Sequence, residues 1–270
     1  MDISVILPTY KPEDYLITCL DSLRQQIGDS VRFEVIIVLN GPFEGYQNMI
    51  ENYIEKFHFS NATLLLAEKS GVSMARNLGI DHAKGAYVFF MDDDDVITKG
   101  CLNTLFTYAA PDRLTCCNNG DFEDDETSYT SNYIGKLFTS EPCTVQHDLI
   151  KYRRLFSTCT AKLIPMRAIG KSRFNTKYKL GEDALFMALI SNRIKSMALC
   201  SEVYYLRRIR LGSATIAKRS FFFEIRNVLG LLKNYGMIYL SAPNSYSFSF
   251  FVIRLLAVLK GLQFRLTKKI

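Results

Sequence analysis

Four consecutive aspartates, Asp92 to Asp95, follow directly on Tyr87 to Met91, an apolar run of β-favouring residues that begins shortly after Gly85. A continuous apolar run of this length reads as a strand buried on both faces, as in a parallel sheet. In open α/β sheets the ligand crevice lies outside the carboxyl ends of the strands, so this strand delivers four carboxylates to that edge. Carboxylates packed so closely repel one another, and placing them together costs stability unless a cation compensates. The compensator expected is a hard divalent ion, Mg2+ or Mn2+, which prefers oxygen ligands and commonly completes its shell with substrate phosphates. A solvated acidic turn is the competing reading, and the pattern upstream weighs against it.

That pattern alternates. Ile3 to Leu7 is a short β-branched run broken by Pro8, and Tyr15 to Gln26 carries Leu16, Ile17, Cys19, Leu20 and Leu23 close to helical spacing. Phe33 to Leu39 is a second buried strand, stopped by Asn40-Gly41-Pro42. A helix over Gly45 to Phe57, a strand over Ala62 to Ala67, and a loop turning into a helix over Lys69 to Ala83 precede the strand that reaches the aspartates. Alternating β and α units of this kind are the pattern of a doubly wound nucleotide-binding half. Gly71 stands near the entrance of the helix that carries Arg76, which suits an anionic group such as a phosphate. A structural ion pair is the other use for that arginine. Neither G-x-G-x-x-G nor G-x-x-x-x-G-K-[ST] occurs at a strand end, which argues against dehydrogenases and P-loop ATPases.

Beyond Gly100 the pattern is mixed. Leu102 to Ala109 reads as helix, Leu114 to Asn118 as strand, and Asp121 to Ser128 as a solvated acidic turn. Residues 133 to 165 alternate short strand-like pieces with polar stretches. After a basic loop, Lys171 to Lys179, the triplet Gly181-Glu182-Asp183 precedes an apolar helical run, Ala184 to Ile190. Acidic residues at a helix start are favoured by the helix dipole, so that pair has a structural reading beside a catalytic one. Ser201 to Arg210 is strand-like, and its Arg207, Arg208 and Arg210 alternate, so at most two of them share a face.

The net charge of +6 hides a division: residues 1–150 hold 10 Lys+Arg against 23 Asp+Glu, and residues 151–270 hold 23 against 4. A basic half suits nucleic acid, anionic lipid or phosphorylated ligands, and charge alone does not choose. Nucleic acid is not expected, because the aromatics of that half read as packing rather than as stacking platforms. The seven cysteines are odd in number and irregularly spaced, the expectation for free thiols in a reducing compartment. No secretory signal is read at the N-terminus, so a cytoplasmic protein is expected.

Taken together, the segments VILPTYKPEDYL, FEVIIVLNGP, GVSMARNLGIDHAKGAYVFFMDDDD, GEDALF and YLRRIRLGSAT resemble a family 2 glycosyltransferase, of the non-processive bacterial type that builds surface polysaccharide such as O-antigen or capsule. The resemblance implies the GT-A fold, a Rossmann-like mixed central sheet flanked by helices. It places a catalytic domain over residues 1–215, with a nucleotide-binding half (1–100) and an acceptor-binding half (101–215). It further implies that Pro8, Thr9, Tyr10 and Glu13 line a nucleotide-sugar pocket, with Asn40 beside the base and Arg76 facing the nucleotide or diphosphate. Asp92-x-Asp94 matches the family's D-x-D element, with Asp92 and Asp93 near ribose and metal and Asp94 ligating Mn2+ or Mg2+ directly. Asp183 would be the catalytic base, and Arg210, Ser213 and Thr215 would lie near the diphosphate. The family usually has aspartate where Asn40 stands, and an amide both donates and accepts, which loosens the expected base preference. UDP-sugar is the leading donor, with a polyprenyl-diphosphate-linked or oligosaccharide acceptor. A sugar nucleotidyltransferase and a non-catalytic nucleotide-sugar-binding subunit are the alternatives.

Residues 216–270 read as a C-terminal helical appendage. Phe221 to Leu232 and Ser247 to Leu266 are apolar with embedded charges, and Arg254 and Lys260 interrupt the second run. An amphipathic helix lying in a membrane surface is expected rather than a span, its basic residues attracting anionic lipid. The expected location is the cytoplasm or, peripherally, the inner leaflet, with packing on the catalytic domain or dimerisation as alternatives.

Overall fold

The computed structural model describes residues 1–210 and 220–267. The chain runs β1 (Ile3–Thr9), α1 (Tyr15–Arg24), β2 (Phe33–Leu39), α2 (Tyr46–Lys56), β3 (Ala62–Leu66), α3 (Val72–His82) and β4 (Tyr87–Phe90) through its first part. It continues with β5 (Val96–Ile97), α4 (Cys101–Thr107), β6 (Arg113–Phe122), β7 (Thr130–Ser131), β8 (Cys143–Gln146), β9 (Lys162–Pro165) and α5 (Met166–Ile169). Last come α6 (Glu182–Ile190), β10 (Ser196–Arg208), α7 (Phe221–Ser241) and α8 (Phe248–Thr267).

One sheet takes all ten strands in the order β3-β2-β1-β4-β9-β6-β10-β5, with β7 beside β6 and β8 beside β10. The β3-β2-β1-β4 half is parallel, and β9 joins it antiparallel to both β4 and β6. The expected mixed Rossmann-like sheet is therefore present. The continuous apolar run at β4 follows from cover on both faces. Phe89 and Met91 enter the buried cluster under α1 and α4, whereas Val88 and Phe90 enter the one under α6, α7 and α8.

Two expectations are corrected. Pro8 does not break β1: the strand pairs with β2 through Thr9. Ile6 accepts from Met91 on the β4 side and Thr9 accepts from Asn40 on the β2 side, so by alternation the nitrogen of Pro8 faces β4. The β4 pairing has already ended at Ile6, and the missing N–H costs no ladder bond. The acidic stretch is not wholly solvated, because β6 extends to Phe122 and Asp121 pairs with Arg207 at 2.7 Å. The C-terminal helices pack on the core, one of the alternatives expected for them. Leu231, Tyr235, Phe250 and Phe251 lie in the same buried cluster as Phe156 and Phe186.

Arg254, expected to meet lipid, is buried and points its guanidinium at Tyr235 Oη. No helix among the described residues is long and apolar enough to cross a membrane. All seven cysteines are free thiols, as expected.

Candidate active site

The carboxyl ends of β1, β2 and β4 meet at one edge of the sheet, where the amino ends of α3 and α6 and the end of β10 converge. Each aspartate after β4 has its own partner. Asp92 Oδ1 accepts from Arg76 Nη2 at 2.8 Å, Asp93 Oδ2 from Thr9 Oγ1 at 2.5 Å, and Asp94 Oδ2 from Arg210 Nε at 2.7 Å. Asp95 is buried, accepting from Tyr205 Oη at 2.5 Å and from the Arg208 backbone N–H at 2.9 Å. Two guanidiniums, two hydroxyls and a backbone amide thus offset part of the cluster's charge.

The crowding also shifts the acids. Burial pushes the Asp93 carboxyl up to about 7, opposed by the Thr9 hydrogen bond. It raises Asp92 as well, against the pull of Arg76, and lifts Asp95 well above the usual carboxylate range, with Asp94 and Asp92 adding to the effect.

Arg76 is the centre of this edge. It lies in the second turn of α3, whose entrance Gly71 makes at φ 139, and its side chain is only 4% exposed. Nη1 stands 2.6 Å from Asp183 Oδ1 and 4.0 Å from Glu182 Oε1, while Nη2 holds Asp92. The sequence reading had Arg76 facing a diphosphate; in the structure both terminal nitrogens are taken up by carboxylates. Asp183 is the second residue of α6, whose entrance Gly181 makes at φ 86. Asp183 Oδ2 is 3.4 Å from both Thr158 Oγ1 and the Cys159 backbone N–H. Burial, then Asp183 beside it, pushes the neighbouring Glu182 up to about 7.

Asn40 stands at the end of β2, where its side chain is engaged by the protein. It is buried, its amide donates to Thr9 O at 2.9 Å, and its Oδ1 accepts from Gly71 N–H at 3.1 Å. An amide serves both bonds and a carboxylate only the second. The residue thus ties the end of β1 to the entrance of α3, a role that accounts for asparagine here. Arg210 stacks over the Tyr15 ring at 4.2 Å while holding Asp94. Pro8 is buried in β1, and Tyr10 and Glu13 are exposed on the segment leaving it. Ser213 and Thr215 lie outside the described residues.

Among the described residues no group of three or more His, Cys, Asp or Glu converges to hold a metal ion. Mg2+ is commonly bound through one or two carboxylates plus substrate phosphates, a lesser demand. Asp92 and Asp94 meet it: both offer hard oxygen donors, and 42% of the Asp92 side chain and 15% of that of Asp94 remain open to solvent. Sequence reasoning missed Tyr15, Tyr205, Thr158 and Lys162. Only Lys162 left a signal, a lysine inside the apolar run Ala161 to Ile164.

The family model for glycosyl transferase family 2 matches residues 4–171, more than half of the chain. The chain belongs to glycosyl transferase family 2. Its Glu182-Asp183 pair lies beyond the matched span. The minor teichoic acid biosynthesis protein GgaB of Bacillus subtilis (strain 168) is 25% identical over 77% of this chain and 23% of its own length. Glycosyltransferase GlyA of Streptococcus pneumoniae serotype 4 is 27% identical over 78% of this chain and 31% of its own. This family 2 chain thus spans a third or less of the length of these two relatives.

Among solved structures, S. aureus TarS 1–349 in complex with UDP-GlcNAc superposes with a TM-score of 0.69 at 21% identity, covering 87% of this chain and 66% of that one. The mannosyltransferase PcManGT from Pyrobaculum calidifontis, in complex with GDP-Man and Mn2+, gives 0.58 at 14% identity, over 98% and 74%. These likenesses show the GT-A fold.

Proposed function

We propose that this family 2 chain is an inverting, metal-dependent glycosyltransferase that moves a sugar from a nucleotide-sugar, UDP-linked, to a hydroxyl of a lipid-linked or oligosaccharide acceptor in surface-polymer synthesis. One observation carries the reading: a single buried guanidinium, Arg76, couples Asp92 on the donor side to Asp183 on the acceptor side. Asp183 takes the proton of the acceptor hydroxyl as the oxygen attacks the anomeric carbon. Arg76 fixes its Oδ1, and Oδ2, held only by two long contacts of 3.4 Å, keeps room to accept that proton. Attack on the face opposite the leaving group inverts the configuration, so an α-linked donor gives a β-linked product.

Asp94 and Asp92 would hold a divalent cation, which when bound would supply charge relief to the departing diphosphate. Arg210, bonded to Asp94 at the same edge, would add a second positive charge for the phosphates. UDP as the nucleotide is supported by the UDP and UDP-GlcNAc complexes of TarS, and a glycopolymer acceptor by relatives such as the poly(ribitol-phosphate) beta-glucosyltransferase of Bacillus spizizenii. Peripheral contact with the inner leaflet is part of the reading, through the outer face of α7 and α8.

The test is a panel of sugar nucleotides incubated with the purified protein, oligosaccharide acceptors and Mn2+, read as released nucleoside diphosphate. Transfer from a UDP-sugar that collapses in Asp183→Asn, with UDP affinity retained, is the expected outcome. An Asp183→Asn protein as active as the parent would reject the assignment of the base.

A further inference from the structure

Lys162 is a lysine with 2% exposure in the centre of a sheet, an expensive place for an ammonium group. It sits in β9 opposite Cys116 of β6. Its Nζ donates to Thr158 O at 2.8 Å and to Thr160 O at 2.6 Å. Burial pushes its pKa down, opposed by Cys116, Cys159 and Asp183 nearby. Neutral and charged amine alike keep a donor for each of the two carbonyls.

Those carbonyls belong to the turn that faces Asp183. Thr158 Oγ1 and the Cys159 N–H both approach Asp183 Oδ2, and Thr158 Oγ1 also meets Thr160 Oγ1 at 2.9 Å. Thr160 bridges to Phe90, at the end of β4 and just ahead of Asp92. Ala161 then adopts φ 63, a left-handed conformation that residues other than glycine take up at a cost. A turn strained in this way keeps its shape only if its surroundings hold it. On its inner side Lys162 does so, with one side chain spanning both carbonyls.

We infer that Lys162 is a positioning residue for sugar transfer: by clamping the Thr158–Thr160 turn from beneath, it sets the orientation of Asp183 and of the oxygen left free for the acceptor. The inference rests on the reading of Asp183 as base. Arg76 restrains Oδ1 and the turn restrains Oδ2, so losing the clamp frees the carboxylate to rotate about the Arg76 contact. The donor side, held by Thr9, Arg210 and the aspartates after β4, is untouched.

Lys162→Met keeps an unbranched side chain of similar length and removes both donors. Measured with the sugar nucleotide and acceptor selected by the panel above, kcat is expected to fall about 10- to 100-fold, the scale on which misplacing a catalytic group acts. Donor KM, and the affinity for UDP by calorimetry, are expected to stay within about twofold of the parent. In an Asp183→Asn background the same change should cost nothing further, because the group it positions is gone. A purely structural lysine would instead weaken UDP binding together with kcat and add its loss to that of Asp183→Asn; either result overturns the inference.

Should Lys162→Met fail to fold, Thr158→Val decides, since it removes the hydroxyl facing Asp183 and leaves the clamped carbonyls in place. Parent-like kcat in Thr158→Val rejects the inference. The two readings fail separately. Full activity in Asp183→Asn removes the base and the positioning role together, whereas a dead Asp183→Asn beside a fully active Lys162→Met removes only the latter.

Discussion

Arg76 Nη1 stands 2.6 Å from Asp183 Oδ1, across 107 residues of chain, while Nη2 of the same guanidinium reaches Asp92. A helix start and a strand end are thus locked together through one buried cation. Removing one partner of such a buried cluster leaves the others uncompensated, at a cost of about 3–5 kcal/mol. Arg76→Met is therefore expected to lose that much stability in urea denaturation and to lose transfer. Arg76→Lys should recover little of either, because a point charge cannot span two carboxylates as a planar fork does. A lysine variant with parent stability and rate would show that the bridge is dispensable.

Asp93 and Glu182 bear on the pH dependence of stability. Both are raised to about 7 from ordinary values of 3.8 and 4.5, chiefly by burial. An acid with a folded pKa above its unfolded one holds a proton in the native state that the unfolded chain releases. Its contribution is fully present below the unfolded pKa and is lost as pH rises through the folded one. The Tm of the protein without metal or donor is expected to fall from about pH 5 to about pH 8. Asp93→Asn and Glu182→Gln, which imitate the protonated acids, should each flatten that slope. Differential scanning calorimetry at several pH values checks this, and unchanged slopes in both variants would count against the burial of these groups.

Gly85 ties the start of β4 to β1 by close approach. A Cβ there would lie 2.6 Å from Ile3 C and 2.8 Å from Ser4 Oγ, and would also collide with the Ser4 backbone nitrogen. The Gly85 N–H donates to Ser4 Oγ, which in turn donates to Glu34 at 2.6 Å, so neither strand can withdraw without breaking this chain of bonds. Gly85→Ala is expected to destabilise by about 1–3 kcal/mol, the range for overpacking a close-packed interior. A chemical denaturation curve superposable on that of the parent would refute it.

The first half of the fold was readable because its signals are local. Apolar runs bounded by Asn40-Gly41-Pro42 or by the aspartates mark buried parallel strands whatever the distant chain does. Residues that meet across the sheet carry no such signal. Nothing near Asn40 tells that its amide meets Thr9 and Gly71, and nothing near Arg76 tells which carboxylates its guanidinium joins. The carboxylate cluster is legible in sequence, but its protein partners Tyr205, Arg208 and Arg210 are not, because they arrive from more than a hundred residues away. Strand β10 was likewise read only from Ser201, since Met197 to Cys200 gives no hint that it extends the same strand past an irregular register.

The outer face of α7 gives the last prediction. Phe222, Leu229, Met237 and Leu240 recur there at helical spacing, with 83% and 71% of Phe222 and Leu240 exposed, and Arg226 and Lys233 stand among them. On α8, Phe248, Leu256 and Leu259 are exposed beside Lys260. The one acidic residue of this pair of helices, Glu224, is buried, so the exposed charges are basic and complement an anionic lipid surface. The surface is also close to the site: Asn227 donates to Leu180 O, and Leu231 fills the space in front of Gly181 at the start of α6. A lipid-linked acceptor held at such a surface would need to travel little to reach Asp183. Deleting the helices is a poor test, because Tyr235 and Phe250 belong to the core and their loss would unfold the chain. Phe222→Ser with Leu240→Ser changes only the exposed face. The parent is expected to sediment with phosphatidylglycerol vesicles at low salt and not with phosphatidylcholine vesicles, and the double variant with neither. Retained binding in that variant would take the membrane contact off this face, absence of binding by the parent would remove the membrane role, and a parent dimer that becomes monomeric on the same substitutions would assign the face to a second copy of the chain.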